Sequence, residues 1–585
     1  MGFATNTPDH GAIRRLRIWY GLIVVILAIF GIRLFYLQII RYDHYHAEAL
    51  QQQFKDYQIP AERGLIEAHD GGKVVPVVLN QTLYTLYADP KFIKDPHADA
   101  EFVASSIGGD VNTYETAMKQ PNRYDILAKK LTESQKNKLM AAKKPGLDVE
   151  THVYRTYPDG DSAAQVLGFV DDNGQGKYGI EQVLNSQLAG KPGLLKAITD
   201  AQGVPLPANK NNVQIPPTAG KDVVLTLDMS MQHQVENILK QGLQKAHSKA
   251  GSAIVMDPNT GAIVAMANYP FYDPSQYYNV TDPSVFNNQA VADEFEPGSI
   301  MKILMTSTAL DQGTIQPDTT YQDSGSVTVD GFTIRNVEPL PSSTISIKVV
   351  LELSLNTGAV HMLKTLGGGD INSQARNIWH DYMANRFQLG KPTGIEQSYE
   401  ASGSVPDPNK GYALNLKYAN TSFGQGVSVT TLQMVSALSS IVNGGTYYQP
   451  HLVDGYMDNN GNLQSIPPKV VRKNVIKPST APEIEGLMEY VFTRNHYVYN
   501  SNVHPGFIEG GKTGTAQVAS GTGGYSDSKY NGTFYGFVGV HKPQYTIMVF
   551  MQTPNLPNYE YAGTEAAPIF GSIADMLINN GYVTQ

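Results

Sequence analysis

A serine and a lysine three residues apart are the first residues whose types and spacing could do chemistry. Ser299 and Lys302 follow Pro297 and Gly298, which end an extended run and open a predicted helix over 299–310. Residues three apart share one helix face, and the unpaired N–H groups at a helix N-terminus favour a developing anion. A serine at this position could act as a nucleophile, with the lysine one turn later as its base. Taken alone, the pattern more often marks a helix cap followed by a surface lysine.

Two later motifs change that interpretation. Ser354 and Asn356, separated by a leucine, stand about fifty residues past Lys302, and the run Lys-Thr-Gly-Thr at 512–515 precedes a strand-like stretch. Each motif is weak by itself. Together and in this order, they match the motif set of serine β-lactamases and penicillin-binding proteins, in which the middle motif has an aspartate at its second position.

These residue types suit acyl transfer through a serine ester. Ser299 would attack a carbonyl and lose its proton to Lys302, which must be neutral to accept it. Burial and a second cation both lower the pKa of a lysine, and Lys512 is the candidate second cation. Ser354 could relay the proton to the leaving amine, and Asn356 could hold the amide of the substrate.

The third motif is expected to bind the substrate. Lys512 and Thr513 would bind a substrate carboxylate, and Gly514 would let the substrate backbone approach the strand closely. The backbone N–H groups of Ser299 and Thr515 would form an oxyanion hole. We therefore predict five catalytic residues (299, 302, 354, 356 and 512) and three substrate-binding residues (513–515), with no cofactor and no metal.

The N-terminal residues predict a membrane anchor. An apolar run extends from 18 to 40, and its one charged residue, Arg33, lies near the outer end, where the side chain can reach the interface. Arg14, Arg15 and Arg17 precede the run and should stay cytoplasmic, which sends the rest of the chain outside. A cleaved signal peptide is the competing interpretation, but no small-residue cleavage site follows the run.

Length and composition limit the number of domains and exclude several classes of function. With 585 residues, two or three domains are expected. The net charge of -9 argues against a nucleic-acid partner. The chain has no cysteine, which excludes disulfides, thiolate catalysis and zinc–thiolate sites. The histidines show no metal-ligand spacing, so a metal site is not expected.

Local patterns predict the elements of each half. A polar helix is expected over 44–58, short strands over 74–90 and helices over 98–145. Residues 201–222 are rich in proline, asparagine and glycine and are predicted to be a linker. In the second half, strands near both ends enclose mostly helical stretches, which predicts an antiparallel sheet covered by helices.

We therefore expect an α+β protein with a single transmembrane helix. Its predicted parts are a cytoplasmic tail (1–17), a transmembrane anchor (18–40), an elongated α+β pedestal of the dimerisation type (41–220) and a catalytic domain (221–585).

The chain resembles class B penicillin-binding proteins from its anchor to nearly its last residue. Beyond the three motifs, the resemblance rests on stretches at 63–66, 178–181, 257–261 and 424–426. It implies a peptidoglycan D,D-transpeptidase whose serine is acylated by stem peptides and by β-lactams. It also implies a non-catalytic pedestal and, as partners, a polytopic membrane glycan polymerase and division or elongation proteins. The loop at 336–341 lacks a histidine often seen there.

Two alternatives to a transpeptidase remain open. A hydrolytic relative, a carboxypeptidase or β-lactamase, would need a base for deacylation, and the sequence does not identify one. A non-catalytic sensor or scaffold would bind β-lactams or stem peptides without turnover. Residues 506–513 also match the phosphate-binding P-loop pattern, which needs a strand before it and a helix after it. His504 and Pro505 before the stretch and a glycine-rich loop after it suit neither element, so nucleotide binding is not expected.

Overall fold

The computed structural model describes residues 10–45, 54–198, 212–338, 341–519, 524–554 and 562–584. The chain divides into two compact units. One comprises Met1–Glu62 with Gly190–Gly220, and the other comprises Arg63–Ala189 with Lys221–Gln585.

The first unit contains the apolar helix and a small sheet. The helix His10–Phe35 continues into a π-helical turn, Tyr36–Ile40, and the stretch Arg14–Ile40 is long and apolar enough to cross a membrane. Three antiparallel strands follow in the order Phe54–Ile59, Gly193–Ile198 and Val213–Ile215.

Two secondary-structure predictions differ from what the structure shows in this unit. The polar helix expected over 44–58 is wrong at its end, because Phe54–Ile59 is a strand that pairs with a partner more than a hundred residues later. Local composition does not reveal such a partner. The linker expected over 201–222 contains the strand Val213–Ile215. Residues 46–53 and 201–211 lie outside the described residues.

The second unit begins with a seven-stranded sheet built on one long strand. Lys73–Ala88 replaces the several short strands expected there, and it pairs with both Asp125–Leu131 and Leu147–Thr156. Asp125–Leu131 also interrupts the helices expected over 98–145. The strand order is Leu463–Ser465, Val453–Met457, Val223–Asp228, Ile66–Asp70, Lys73–Ala88 and Asp125–Leu131, with Leu147–Thr156 added on Lys73–Ala88.

Two stretches singled out in the sequence meet in a buried charge cluster beside this sheet. Glu181, fully buried, accepts hydrogen bonds from Arg63 Nε (2.8 Å) and Arg155 Nε (2.8 Å). Arg63 also donates to Asn185 Oδ1 (2.9 Å), and Arg155 donates to Asn80 Oδ1 (2.8 Å). A buried charge persists only when it is paired in this way, which explains why these distant stretches carry an arginine and a glutamate.

A five-stranded antiparallel sheet forms the second core of this unit, as predicted. Its strand order is Ile263–Tyr269, Gly251–Met256, Pro543–Met551, Tyr525–Gly539 and Ile508–Ala519. The two faces bury different residues because side chains alternate along a strand. Phe534 and Val538 pack under the helices Met229–Lys245 and Ala562–Asn579, whereas Tyr535 and Phe537 pack with the central helices. The α+β prediction, with helices covering an antiparallel sheet, is confirmed.

The other elements of the second unit are helices and two-stranded antiparallel pairs. The helices not yet named are Pro96–Ile107, Val111–Met118, Glu133–Ala141, Ala164–Leu167, Gly179–Val183, Asn185–Leu188, Pro274–Asn279, Pro283–Phe286, Gln289–Ala292, Gly298–Ile300, Met301–Asp311, Ile347–Glu352, Asn356–Leu366, Ser373–His380, Asp381–Arg386, Leu414–Thr421, Thr431–Val442 and Thr480–Tyr499. The two-stranded pairs are Phe169–Val170 with Gly176–Lys177, Thr320–Asp323 with Ser343–Ser346, Ser326–Val329 with Phe332–Arg335, and Tyr447–Tyr448 with Val470–Arg472.

Candidate active site

The predicted nucleophile stands on a single 3₁₀ turn at the entrance of a buried helix. Ser299 lies in the turn Gly298–Ile300, and every residue of the following helix, Met301–Asp311, is buried. Gly298 has φ +61, a conformation that glycine adopts without strain. A Cβ at this position would lie 2.6 Å from the carbonyl oxygen of Thr515. The nucleophile turn therefore packs directly on the strand that carries the third motif.

Lys302 brings the first two motifs together. Its side chain is fully buried, and its Nζ lies 2.9 Å from Ser299 Oγ and 3.2 Å from Ser354 Oγ. Nζ also donates to the carbonyl oxygen of Ser354 at 2.5 Å. One amine thus contacts both hydroxyl groups that the sequence predicts to exchange protons.

The surroundings of the two buried lysines disfavour their charged forms. Burial lowers the pKa of Lys302 well below its ordinary value, and the neighbouring charge of Lys512 lowers it further. Burial also lowers the pKa of Lys512 to about 7. The lowered pKa of Lys302 increases the fraction of its neutral amine, which is the form that can accept a proton from Ser299.

The second motif is held in an uncommon backbone conformation. Ser354 has φ +56, which is rare for a residue with a side chain and typical of constrained functional positions. Next to the motif, Glu352 accepts hydrogen bonds from Tyr490 OH (2.7 Å) and Arg494 Nε (3.1 Å). Asn356 begins the helix Asn356–Leu366, and its amide nitrogen donates to a main-chain carbonyl at 3.0 Å. The motif is therefore fastened on both sides of Ser354.

The third motif lies on the strand Ile508–Ala519. Lys512 is buried, pairs across the sheet with Tyr535, and its Nζ donates to Thr513 O (3.0 Å) and to Thr513 Oγ1 (3.3 Å). The stretch that matches the P-loop pattern therefore runs from a turn into an antiparallel strand and forms no strand–loop–helix unit.

Gly514 and Thr515 connect this strand to its neighbours. A Cβ at Gly514 would lie 2.3 Å from Thr533 Oγ1 and 2.8 Å from Pro297 O, so the missing side chain lets the strand pack against the nucleophile turn. This packing role differs from the role expected from the sequence, in which Gly514 lets the substrate backbone approach the strand. Thr515 Oγ1 accepts a hydrogen bond from the backbone N–H of Gly563 at 3.0 Å.

A cleft of about 410 Å³ opens above these residues. The buried lysines Lys302 and Lys512 lie beneath its lining. Its walls come from all three motifs and from segments that the sequence motifs do not include. The lining residues are Gly298, Ser299, Val337, Glu338, Leu353, Ser354, Asn356, Phe423, Gln425, Thr513, Thr515, Gln517, Tyr530 and Thr564.

Sequence reasoning missed Glu296 as a residue that connects the two sides of the site. Its Oε1 accepts hydrogen bonds from the backbone N–H of Gly426 (2.9 Å) and from Tyr525 OH (3.0 Å). Burial raises the pKa of the Glu296 carboxyl group. The sequence shows that Glu296 lies three residues before Ser299. It does not show the contacts of Glu296, because its partners lie more than a hundred residues away in sequence.

Gly424 lets its own loop pack closely against the nucleophile turn, as Gly514 does for the third-motif strand. This contact provides a test of the site. The φ of Gly424 is +87, and a Cβ there would lie 2.0 Å from the carbonyl oxygen of Gly298. The nucleophile turn would have to move, and a displacement of about 1 Å can cost on the order of 10²-fold in rate. We expect Gly424→Ala to slow acylation of Ser299 by about that factor, measured as the rate of covalent adduct formation with penicillin.

Gly426→Ala is the matched control for this substitution. Gly426 also has a positive φ (+70), but no atom lies within 4 Å of an added Cβ. It therefore shares the backbone strain and lacks the clash. Equal rates in the two variants would contradict the assigned contact between Gly424 and the nucleophile turn.

The fold and the site together define the class of serine acyl-transfer proteins, here with a buried lysine amine 2.9 Å from the serine hydroxyl. The penicillin binding protein transpeptidase domain model matches residues 251–575, and the penicillin-binding protein dimerisation domain model matches residues 58–225. The chain therefore belongs to the penicillin-binding protein transpeptidase family.

Individual relatives agree with this assignment along most of the chain. Stage V sporulation protein D of Bacillus subtilis is 29% identical over 562 residues, which cover 94% of this chain and 83% of that protein. Penicillin-binding protein PbpB of Mycobacterium tuberculosis is 28% identical over 603 residues, which cover 99% of this chain and 86% of that protein. The crystal structure of penicillin binding protein 3 from Mycobacterium tuberculosis, complexed with aztreonam, matches with a TM-score of 0.68 at 25% identity, covering 90% of this chain and 98% of that one.

Proposed function

We propose that the protein is a peptidoglycan D,D-transpeptidase that cross-links stem peptides through an ester on Ser299. The observation that carries this proposal is the position of Lys302 Nζ, buried beneath the cleft and within 3.2 Å of the hydroxyl groups of Ser299 and Ser354. Relatives named peptidoglycan D,D-transpeptidase support the same reaction class.

In the proposed acylation step, neutral Lys302 accepts the proton of Ser299 as Oγ attacks the carbonyl of the penultimate D-alanine. The N–H groups of Ser299 and Thr515 stabilise the oxyanion. The C–N bond breaks, and the proton passes from Lys302 through Ser354 to the leaving D-alanine. Lys512 and Thr513 bind the carboxylate of the donor, and Asn356 holds its amide.

In the proposed transfer step, the amine of a second stem peptide attacks the ester. The new C–N bond forms, the bond from the carbonyl carbon to Ser299 Oγ breaks, and one amine proton returns to Ser299 through the same relay. β-Lactams acylate the same serine by opening of their ring amide. Gly514 contributes by letting the third-motif strand pack on the nucleophile turn.

We further propose the topology predicted from the sequence. Residues 1–17 are cytoplasmic, 18–40 anchor the chain, 41–220 form the pedestal and 221–585 form the catalytic domain outside the membrane. The anchor helix and the arginines before it support this orientation. The anchor and pedestal are the proposed contact for a polytopic glycan polymerase.

The experiment that tests the function is intact-mass measurement of the full chain in detergent after incubation with penicillin. We expect one stable adduct on the wild type and on Ser307→Ala, a buried serine of the same helix, and none on Ser299→Ala. Absence of an adduct on the folded wild type would contradict the proposal.

The lifetime of the adduct separates the remaining alternatives. An adduct that clears within minutes would favour a hydrolytic carboxypeptidase or β-lactamase. A stable adduct without any transfer of a peptide donor to an amine would favour a non-catalytic sensor or scaffold.

A further inference from the structure

One wall of the cleft carries an acidic side chain. Among the described residues that line the cleft, Glu338 is the only one with a formally charged side chain. The two lysines of the site, Lys302 and Lys512, are buried beneath the lining and are not part of it. Glu338 is exposed to solvent. A ligand entering the cleft therefore meets a carboxylate at the rim.

The loop that carries Glu338 is fixed to the second motif. Asn336 is buried, and its Oδ1 accepts hydrogen bonds from the N–H (3.1 Å) and the Oγ1 (2.9 Å) of Thr357, the residue after Asn356. Arg335 O accepts the amide hydrogen bond of Asn356 at 3.0 Å. These contacts place Glu338 on the wall formed by Ser354 and Asn356, rather than on the third-motif strand.

Apolar side chains stand beside the carboxylate. Val337 is 65% exposed, Leu353 is 48% exposed, and both line the cleft. Exposed apolar groups next to a carboxylate are complementary to an ammonium group on a methylene stem, because the stem covers apolar surface while the charge reaches the acid. The rim therefore suits an alkylammonium group.

The direction of the reaction identifies which ammonium this is. In the proposed mechanism the leaving amine receives its proton through Ser354. By microscopic reversibility, the incoming amine approaches along the same side and gives its proton to the same relay. Glu338 is on that side of the cleft.

We propose that Glu338 forms a subsite for the primary alkylammonium group of the acyl acceptor and thereby favours amine transfer over hydrolysis. This rests on the proposed transpeptidase function. The subsite captures the charged acceptor at the rim; the ammonium loses one proton to solvent, and the neutral amine then attacks the ester as described above. Glu338 therefore acts on acceptor binding and is a specificity-determining residue.

The test uses the full chain in detergent with an amine-free acyl-D-alanyl thioester as the donor. Nα-acetyl-lysine amide serves as the acceptor, because its ε-amine is its one amine. Transfer and hydrolysis products are quantified against acceptor concentration, and each variant is normalised to its own rate of acylation by penicillin. We expect Glu338→Gln to raise the KM of the acceptor about threefold to tenfold, less at high salt, and Glu338→Lys to raise it further.

Two controls separate this effect from a general loss of charge or structure. Glu133→Gln removes the same charge at an exposed position outside the cleft lining and should leave the acceptor KM unchanged. Hydroxylamine, a nucleophile that is largely neutral at pH 7.5, should be used equally well by the wild type and Glu338→Gln. An unchanged lysine-amide KM in Glu338→Gln would overturn the proposal, as would equal effects on both nucleophiles.

A further arm distinguishes the acceptor from the donor as the source of the ammonium. Nα-acetyl-lysyl-D-alanyl-D-alanine is compared with its Nε-acetylated form as the donor. A rise in KM confined to the amine-bearing donor would overturn the acceptor assignment in favour of the ammonium of the donor. Slower clearance of the penicillin adduct in Glu338→Gln would instead identify Glu338 as a hydrolytic base. Failure of the underlying function is seen separately, as absence of a penicillin adduct on the wild type.

Discussion

Lys302→Ala is expected to slow acylation of Ser299 by penicillin by about 10²–10⁴-fold, the usual contribution of a general base. The amine lies 2.9 Å from the serine hydroxyl, and the lysine side chain is fully buried, so water has little access to the position of the amine. Lys302→Arg should be as slow, because a guanidinium stays protonated and cannot accept the proton. The measurement is the rate of adduct formation by intact mass.

The same role for Lys302 predicts how the acylation rate of the wild type depends on pH. Only the neutral amine can act as the base, so the acylation rate should fall as the pH drops through the pKa of Lys302. Burial and the charge of Lys512 both lower that pKa, which keeps a larger neutral fraction at neutral pH. Lys245→Ala, at an exposed position in the last turn of another helix, is the control and should retain the wild-type profile. Acylation by Lys302→Ala at the wild-type rate would remove the lysine from the proposed mechanism.

The motif residues that meet at the cleft could be predicted because each motif is local. Ser299 and Lys302 are related by helical spacing, and the third motif is a continuous run in a strand. The α+β class followed from apolar strands near both ends of the domain with helices between them. Hydrophobic periodicity and short-range spacing carry this information in any sequence.

What could not be predicted depends on contacts between distant residues. Asn336 holds the cleft loop through Thr357, and Glu352 is held by Tyr490 and Arg494, about 140 residues later. Neither residue differs locally from an ordinary polar side chain. The strand Phe54–Ile59 has the same explanation, because its partner strand starts at 193. Tertiary pairing overrides local helix propensity in such segments.

The role of Gly514 illustrates a further difference. A glycine in a binding strand predicts close approach of the substrate, and the structure adds a second reason for the glycine, because a Cβ there would meet Thr533 and Pro297. The sequence identifies a position without a side chain; it does not indicate which neighbour uses the space. The same holds for Gly424, whose neighbour is the nucleophile turn itself.

Lys512→Met is expected to stabilise the fold and to abolish efficient acylation. Burial lowers the pKa of Lys512 to about 7, so the unfolded chain, with a pKa near 10.5, binds its proton more tightly than the folded one. Below about pH 7 both states are protonated, and the folded state bears the full cost of the buried charge. Between about pH 7 and 10.5 the stability of the wild type should rise with pH. Methionine has a similar shape without the charge, and we expect a gain of about 1–4 kcal/mol at pH 6 that shrinks towards pH 10.

The same substitution should lower the rate of acylation at least about 10²-fold, because the cation proposed to bind the donor carboxylate is lost. Loss of that positive charge also raises the pKa of Lys302, so the remaining activity should need a higher pH. The measurements are thermal unfolding of the full chain in detergent from pH 6 to 10 and adduct formation over the same range. Lys91→Met, at an exposed position, should change neither. A less stable Lys512→Met variant would mean that the buried ammonium is stabilised by its surroundings. The site would then hold a permanent cation, whereas a stabilised variant identifies Lys512 as a residue kept for function at a cost in stability.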